Sequence, residues 1–188
     1  MTMDASNDIA QILDRLSRVL QNEGHAEGLK PAQWEALRYL SRANRFSRTP
    51  SALTAYLGIT KGTVSQSLNA LERKGLIKKT ADPGDRRQVR MDLTAKGTRL
   101  LARDPLTATT EAASSLSAAE RQAVATGLEE LLRRILLERD GRAFGVCRTC
   151  RYFRKNDPNG APHRCDLLDE KLSANDSERI CLEQELAA

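Results

Sequence analysis

Four cysteines near one end of the chain are the residues whose type and spacing most directly suggest chemistry. Two thiolates separated by two residues can bind one metal ion, and four thiolates complete a tetrahedral site. The surrounding segment has few large apolar side chains, and a small loop-rich segment of this kind needs a crosslink that a metal can supply. We therefore predict a metal-binding module over residues 142–188. Its predicted ligands follow the pattern Cys-x2-Cys-x14-Cys-x15-Cys and are Cys147, Cys150, Cys165 and Cys181.

Three kinds of centre fit these cysteines. A structural Zn²⁺ is marginally preferred, although the second half of the pattern lacks another close cysteine pair. An iron–sulfur cluster also takes four thiolates and would let the module sense redox state or metal. The third interpretation is a thiol–disulfide switch at Cys147 and Cys150, because the charges of Arg148 and Arg151 favour the thiolate. His163 is a less favoured ligand, since four cysteines already complete the set.

A second pattern, over residues 51–73, predicts two short helices joined by a tight turn. Ser51 is expected to cap the first helix, and Gly58 to end it. Thr60 is expected to cap the second helix, whose inward face carries apolar residues at i, i+4 and i+7. Its other faces carry short hydrogen-bonding side chains with no acidic residue among them, which suits base edges in a DNA major groove. The inward residues are Val64, Leu68 and Leu71, and the candidate base-reading residues are Thr63, Ser65, Gln66 and Asn69.

A basic two-stranded ribbon is predicted to follow, with strands over residues 76–80 and 88–93 and turn residues at 82–85. Residues 60–99 contain ten Lys or Arg and four Asp or Glu, a local charge of +6, whereas the whole chain is +5. The rest of the chain therefore sums to −1. Positive charge concentrated on one motif is typical of binding to a phosphate backbone. The cations expected to contact phosphate are Lys61, Lys78, Lys79, Arg86 and Arg90.

Residues 58–65, 71–77, 85–87 and 93–97 resemble the winged helix-turn-helix of the MarR family of bacterial transcription regulators. The resemblance is specific there, extends more loosely from about residue 8 to about residue 140, and does not cover the last fifth of the chain. It implies that Asp85 orients Arg87 and that Arg87 enters the minor groove. It also implies that the terminal helices form a dimer, and it permits a small-molecule effector between those helices and the winged helix.

The helices that flank the motif are amphipathic. One is expected over residues 8–23, and another begins at Pro31 and directs Trp34 inward as a core residue. After the wing, Thr94 is expected to cap a helix that is interrupted near Pro105. A capping box formed by Ser117 and Glu120 then opens a long helix to about residue 140.

The terminal helices have more apolar surface than one small domain can cover, so we expect a twofold dimer. The alternative is an intramolecular helix pair. A dimer would place two recognition helices about one DNA turn apart and implies a pseudo-palindromic operator. In the polar connector over residues 41–50, before the two helices of the motif, Arg45 and Arg48 are expected either to contact phosphate or to lie in a solvated loop. His25 is expected in an exposed loop.

The sequence therefore predicts a mainly α protein with a small β-wing, in which a winged helix-turn-helix is flanked by long dimerisation helices and followed by a small metal module. The predicted divisions are 1–30, 31–98, 99–141 and 142–188. No catalytic motif is present, so we expect no enzyme, and the absence of a signal peptide or long apolar run favours the cytoplasm. We expect a DNA-binding repressor, the alternative being a zinc-stabilised protein–protein adaptor or a thiol–disulfide switch protein.

Overall fold

The computed structural model describes residues 4–23, 26–81, 89–139, 141–142, 144–157 and 160–186. The helices are α1 (Ala5–Glu23), α2 (Pro31–Arg42), α3 (Pro50–Leu57), α4 (Lys61–Arg73), α5 (Ala95–Leu101), α6 (Leu106–Ser114), α7 (Ala118–Glu138) and α8 (Ala174–Ser177). The strands are β1 (Ile77–Ala81), β2 (Val89–Leu93), β3 (Gly145–Val146), β4 (Phe153–Lys155), β5 (His163–Cys165), β6 (Glu170–Leu172) and β7 (Ile180–Cys181). Short 3₁₀ turns lie at Ala26–Gly28 and Cys147–Thr149. The predicted fold class, mainly α with a small β-wing, is confirmed.

Capping residues determine where the helices of the winged helix begin and end. The hydroxyl oxygen of Thr60 accepts a hydrogen bond from the Thr63 N–H at 3.2 Å, and Gly58 ends α3 with a φ of 64°. The prediction that Ser51 caps α3 is wrong. Pro50 takes the first helical position and fixes its φ, so the cap falls on Thr49, whose hydroxyl accepts from the Ala52 N–H.

The core of the winged helix forms around α2. Trp34 is fully buried, as predicted, and its indole Nε1 donates to the carbonyl of Ala26 at 3.2 Å. The inward face predicted for α4 is confirmed, because its three apolar residues are at most 1% exposed. The other large side chains of this core come from α2, α3 and the two wing strands, and include Leu37, Tyr39, Leu40, Leu53, Ile77 and Met91.

The helices α1 and α7 leave much of their apolar surface exposed within one chain. The helix α1 ends at Glu23, as predicted, but begins at Ala5 and not at residue 8. Ser117 and Glu120 form the predicted capping box of α7. An intramolecular helix pair would bury these apolar faces, so that alternative does not hold. No helix in the described ranges is long and apolar enough to cross a membrane. The exposed apolar residues of the two helices are Ile9, Ile12, Leu16, Val19, Val124, Leu128, Leu132 and Leu137.

The wing is an antiparallel pair of strands, with Ile77 opposite Leu93 and Ala81 opposite Val89. The connection between the strands, residues 82–88, lies outside the described residues. After β2, the Thr94 hydroxyl accepts from the Gly97 N–H and so caps α5, as predicted.

The C-terminal module packs directly on the connection between α2 and α3. It consists of the two-stranded sheet β3–β7 and the three-stranded sheet β4–β5–β6. Ile180 of β7 joins the core of the winged helix, and its carbonyl accepts from the Asn44 N–H at 2.8 Å. Phe144 lies edge-on to the rings of Tyr39 and Tyr56, with centroid distances of 6.3 and 5.1 Å. The module is therefore packed on the DNA-binding motif and not separated from it by a linker.

Candidate nucleic-acid interface and cysteine cluster

The exposed face of α4 carries the four polar residues predicted to read bases. Thr63, Ser65, Gln66 and Asn69 are all solvent-exposed, because the apolar residues of the helix occupy its opposite face. The hydroxyls of Thr60 and Thr63 lie 2.9 Å apart, so Thr63 also takes part in the cap of the helix.

Two of the predicted DNA-binding residues contact each other. The Lys79 ammonium on β1 donates to the Asn69 side-chain oxygen at 2.6 Å and lies 2.9 Å from a carboxylate oxygen of Glu72. These contacts join the wing to the C-terminal half of α4. The hydrogen bond between the Lys79 ammonium and the Asn69 side-chain oxygen must break before either of these groups can contact DNA.

A groove of about 450 Å³ lies between α3, α4 and the wing strands. Lys61, Ser65 and Lys79 are among its lining residues, together with apolar groups of α4 and β2. Lys78 is exposed on β1, and Arg90 is half-buried on β2. Asp85, Arg86 and Arg87, and also His25, lie outside the described residues, so their roles stay predictions.

Two of the four cysteines form a buried sulfur pair. Cys147, directly after β3, and Cys181, in β7, are each 6% exposed. The interaction with the Cys147 thiol lowers the pKa of Cys181 to about 6, against the opposing effect of burial. The interaction with Cys181, together with burial, raises the pKa of Cys147. All four cysteines are free of disulfides.

The two arginines beside Cys147 and Cys150, Arg148 and Arg151, each form an ion pair with a carboxylate. Arg148 lies 3.1 Å from a carboxylate oxygen of Glu178, and Arg151 lies 3.3 Å from one of Glu185. The sulfur in contact with Cys147 is that of Cys181, which is distant in sequence. The thiol–disulfide switch at Cys147 and Cys150 therefore stays a prediction.

The other two cysteines lie beside this pair. Cys165 packs against the cluster formed by Cys147, Leu172 and Cys181, and the Cys150 N–H donates to the Cys147 carbonyl at 2.9 Å. The Nδ1 atom of His163 is buried and has no hydrogen-bond partner among the residues that the structure describes. Over the described parts of the chain, no group of three or more His, Cys, Asp and Glu side chains has an arrangement that could hold a metal ion. The metal assignment thus stays a prediction.

Two functional candidates that the sequence did not indicate are Asn44 and Ser47. Both are buried, and the Asn44 Nδ2 donates to the Cys147 sulfur at 3.3 Å. The Ser47 hydroxyl accepts from the N–H of Leu182, the residue after Cys181, at 2.8 Å, and both side chains help to lower the pKa of Cys181. A polar loop has no periodicity that marks a buried residue, so no local signal could have identified this contact.

The arginines of the same loop do not behave as predicted. The Arg45 guanidinium lies 2.6 Å from Asp176 and also donates to the Lys171 carbonyl of the module. Arg48 donates to the Ala43 carbonyl at 3.1 Å and to Asp92 of β2 at 2.8 Å. Neither lies in a solvated loop, because the module covers this connection. A cleft of about 740 Å³ remains between the loop, β2 and the module; its walls include Phe46, Thr49, Arg90, Leu168, Glu170 and Leu182.

Comparisons with known proteins agree on the winged helix. Residues 27–88 match the model of the MarR family. A MarR transcriptional regulator from Methanosarcina mazei is 25% identical, with a TM-score of 0.57, and the match covers 69% of this chain and 97% of that one. The transcriptional regulator BldR from Sulfolobus solfataricus is 25% identical, with a TM-score of 0.55, over 69% of this chain and 93% of that one.

A third similar structure was solved with nucleic acid. FabT from Streptococcus pneumoniae, in complex with DNA, is 26% identical, with a TM-score of 0.54, over 70% of this chain and 97% of that one. No curated protein matches the sequence. About three tenths of this chain has no counterpart in these structures.

Proposed function

We propose that the chain is a transcription regulator of the MarR family that represses transcription as a homodimer bound to double-stranded DNA. The observation that carries the proposal is the exposed polar face of α4 beside the basic strands of the wing. Short hydrogen-bonding side chains on such a helix can reach base edges, and Lys61 and Lys78 lie where they can hold phosphate. The similarity to FabT, which was solved with DNA, supports the same partner.

The test selects bound sequences from a pool of random double-stranded DNA and then measures affinity by fluorescence anisotropy. We expect a pseudo-palindromic sequence, because a twofold dimer presents two recognition helices. Gln66→Ala should weaken binding to that sequence by about 1–3 kcal/mol and relax the base preference at one position of each half-site. Gln122→Ala, on the exposed surface of α7, is the matched control and should bind like the parent. Failure to enrich any sequence would favour the protein–protein adaptor.

Dimerisation is supported by the exposed apolar faces of α1 and α7. Exposed apolar side chains that recur along one helix face are typical of an interface. Burial against a second copy would remove these side chains from water. The arrangement resembles that of the MarR family, in which the terminal helices are the dimerisation region. An effector site between these helices and the winged helix is part of the same proposal.

The cysteine module is the second candidate function, and we propose that it binds a metal centre, with Zn²⁺ preferred over an iron–sulfur cluster. The support is that Cys147, Cys165 and Cys181 share one small cluster and that one backbone turn joins Cys147 to Cys150. Binding of Zn²⁺ would require the four cysteine sulfurs to move into a tetrahedral arrangement around the ion.

The metal centre is tested on protein purified without oxygen, by elemental analysis and by an absorption spectrum from 300 to 700 nm. About one zinc per chain and no colour would support the preferred centre. Iron with sulfide and broad absorption near 400 nm would make the module a redox or iron sensor. Absence of both metals would refute the metal centre, leaving a thiol switch.

A further inference from the structure

The loop between α2 and α3, residues 43–49, buries polar side chains that the DNA-binding surface does not use. Asn44 is 0% exposed and Ser47 is 1% exposed. Buried polar groups are costly unless each finds a hydrogen-bond partner, so the partners of these two residues define what the loop does. Those partners lie on two sides: the cysteine cluster and the winged helix.

On the side of the cysteine cluster, the Asn44 side-chain amide connects the Cys147 sulfur to the backbone of the loop. The Asn44 Nδ2 donates to the Cys147 sulfur at 3.3 Å, while its Oδ1 accepts from the N–H groups of Phe46 and Ser47 at 3.1 and 2.9 Å. The Ser47 hydroxyl accepts from the N–H of Leu182, the residue after Cys181, at 2.8 Å. The sulfur contacts therefore orient the amide that closes the turn.

On the winged-helix side, the same loop holds β2 and begins α3. The Arg48 carbonyl accepts from the Met91 N–H at 2.8 Å, and its guanidinium binds Asp92. Thr49 caps α3, which packs on the recognition helix α4. The Ser47 carbonyl also accepts from the Tyr39 hydroxyl, at 2.7 Å, within the core of the winged helix.

We propose that residues 43–49 couple the state of the cysteine cluster to the DNA-binding surface, with Asn44 and Ser47 as positioning residues. The inference rests on the proposed DNA binding but not on the identity of the metal. An intact cluster fixes the Asn44 amide, and the amide fixes the loop that supports β2 and α3. When the cluster loses this sulfur acceptor, the loop loosens and the DNA-binding surface is no longer preorganised.

The coupling is measured first on the free protein by amide hydrogen exchange. Cys147→Ala and Ser47→Ala should each raise the exchange rate of the Met91 amide about tenfold, because the loop carbonyl that protects it becomes mobile. The Val124 amide, in α7, is the internal reference and should not change. This readout needs no DNA, so it tests the inference even if the proposed function fails.

The second measurement is a double-mutant cycle on the selected DNA duplex. Cys147→Ala should weaken binding about tenfold in the parent but less than about twofold in the Asn44→Asp background, because the amide donor to the Cys147 sulfur is already absent there. Ser41→Ala is the matched control: its hydroxyl donates to the Arg38 carbonyl within α2, so the full tenfold effect should remain.

Asn44→Asp keeps the size and the Oδ1 acceptor of Asn44 but removes the donor to sulfur. If Asn44→Asp does not fold, the exchange rates of Cys147→Ala and Ser47→Ala decide alone. An unchanged Met91 exchange rate in Cys147→Ala, or an equal loss of affinity in both backgrounds, would overturn the coupling. A parent protein that binds no duplex, with Met91 exchange raised as expected, would overturn only the proposed function.

Discussion

Lys61 and Gln66 show how two residues on one helix contribute to DNA binding in different ways. Lys61 is the first residue of α4 and lines the groove beside the wing, where a cation lies near the positive end of the helix. Gln66 lies on the exposed polar face, where an amide can form paired hydrogen bonds with a base edge. The Lys61 contact with phosphate depends on charge alone, whereas the Gln66 contact with a base depends on the DNA sequence.

Lys61→Ala should weaken binding to all duplexes by a similar factor and should reduce the slope of log affinity against log salt by about 1. The reason is that one fewer phosphate is neutralised, so about one fewer counterion is released. Dissociation constants at four salt concentrations measure the slope. Lys155→Ala, an exposed lysine of the C-terminal module, should leave the slope unchanged. An unchanged slope in Lys61→Ala would remove Lys61 from the phosphate contacts.

At this scale the sequence predicts residues with a periodic environment and misses those with a long-range one. Trp34 and Leu68 lie in phase with their apolar neighbours, so helical spacing alone places them in the core. Asn44, Ser47 and Arg45 lie in a loop, and their partners are more than a hundred residues away along the chain. No local pattern encodes that contact.

Among the elements, α5 approaches the wing more closely than a side chain at Gly97 would allow. A Cβ atom at Gly97 would lie 2.1 Å from the carbonyl oxygen of Leu76, which is backbone and cannot rotate away. The same carbonyl accepts from the Thr94 N–H and so joins β1 to the start of α5.

Gly97→Ala should therefore lower the free energy of unfolding by about 1–3 kcal/mol, because α5 must move away from β1. Gly62→Ala is the matched control in α4, where a new Cβ would meet no atom nearer than 3.8 Å. That control should be neutral or stabilise by up to about 1 kcal/mol. Urea unfolding followed by circular dichroism gives both values. Equal midpoints for Gly97→Ala and the parent would contradict the close approach.

Element boundaries were predicted best where a cap and a stop signal agree. Thr60 begins α4 and Ser117 begins α7 as expected, because each hydroxyl accepts from the N–H three residues on. At the start of α3, Ser51 and Thr49 are both competent caps, and Pro50 decides in favour of Thr49 because the proline takes the first helical position.

For the whole molecule, the sequence predicts the parts better than their arrangement. The four-cysteine spacing marks a distinct module, but its packing on the α2–α3 connection depends on shape and on paired charges such as Arg45 with Asp176. The exposed apolar faces of α1 and α7 are the reverse case. Amphipathic periodicity predicts them, and the proposed second copy of the chain would cover them.

Leu132→Asp should convert the dimer to a monomer, because Leu132 lies on the apolar face of α7 and is 57% exposed in one chain. The substitution places an unpaired carboxylate in each half of a twofold interface, so the dimer pays the free-energy cost of burying an unpaired charge twice. Sedimentation velocity at micromolar concentration measures the state. Leu167→Asp is the matched control, since that leucine is 43% exposed on the C-terminal module, and it should remain dimeric.

The same variant separates binding by one recognition helix from binding by two. A monomer loses the second half-site, so its affinity for the full site should fall by about a hundredfold or more, while its affinity for an isolated half-site should stay close to that of the parent. Equal loss on both duplexes would mean that Leu132→Asp damages the winged helix itself. A dimer that persists in Leu132→Asp would place the interface elsewhere on the chain.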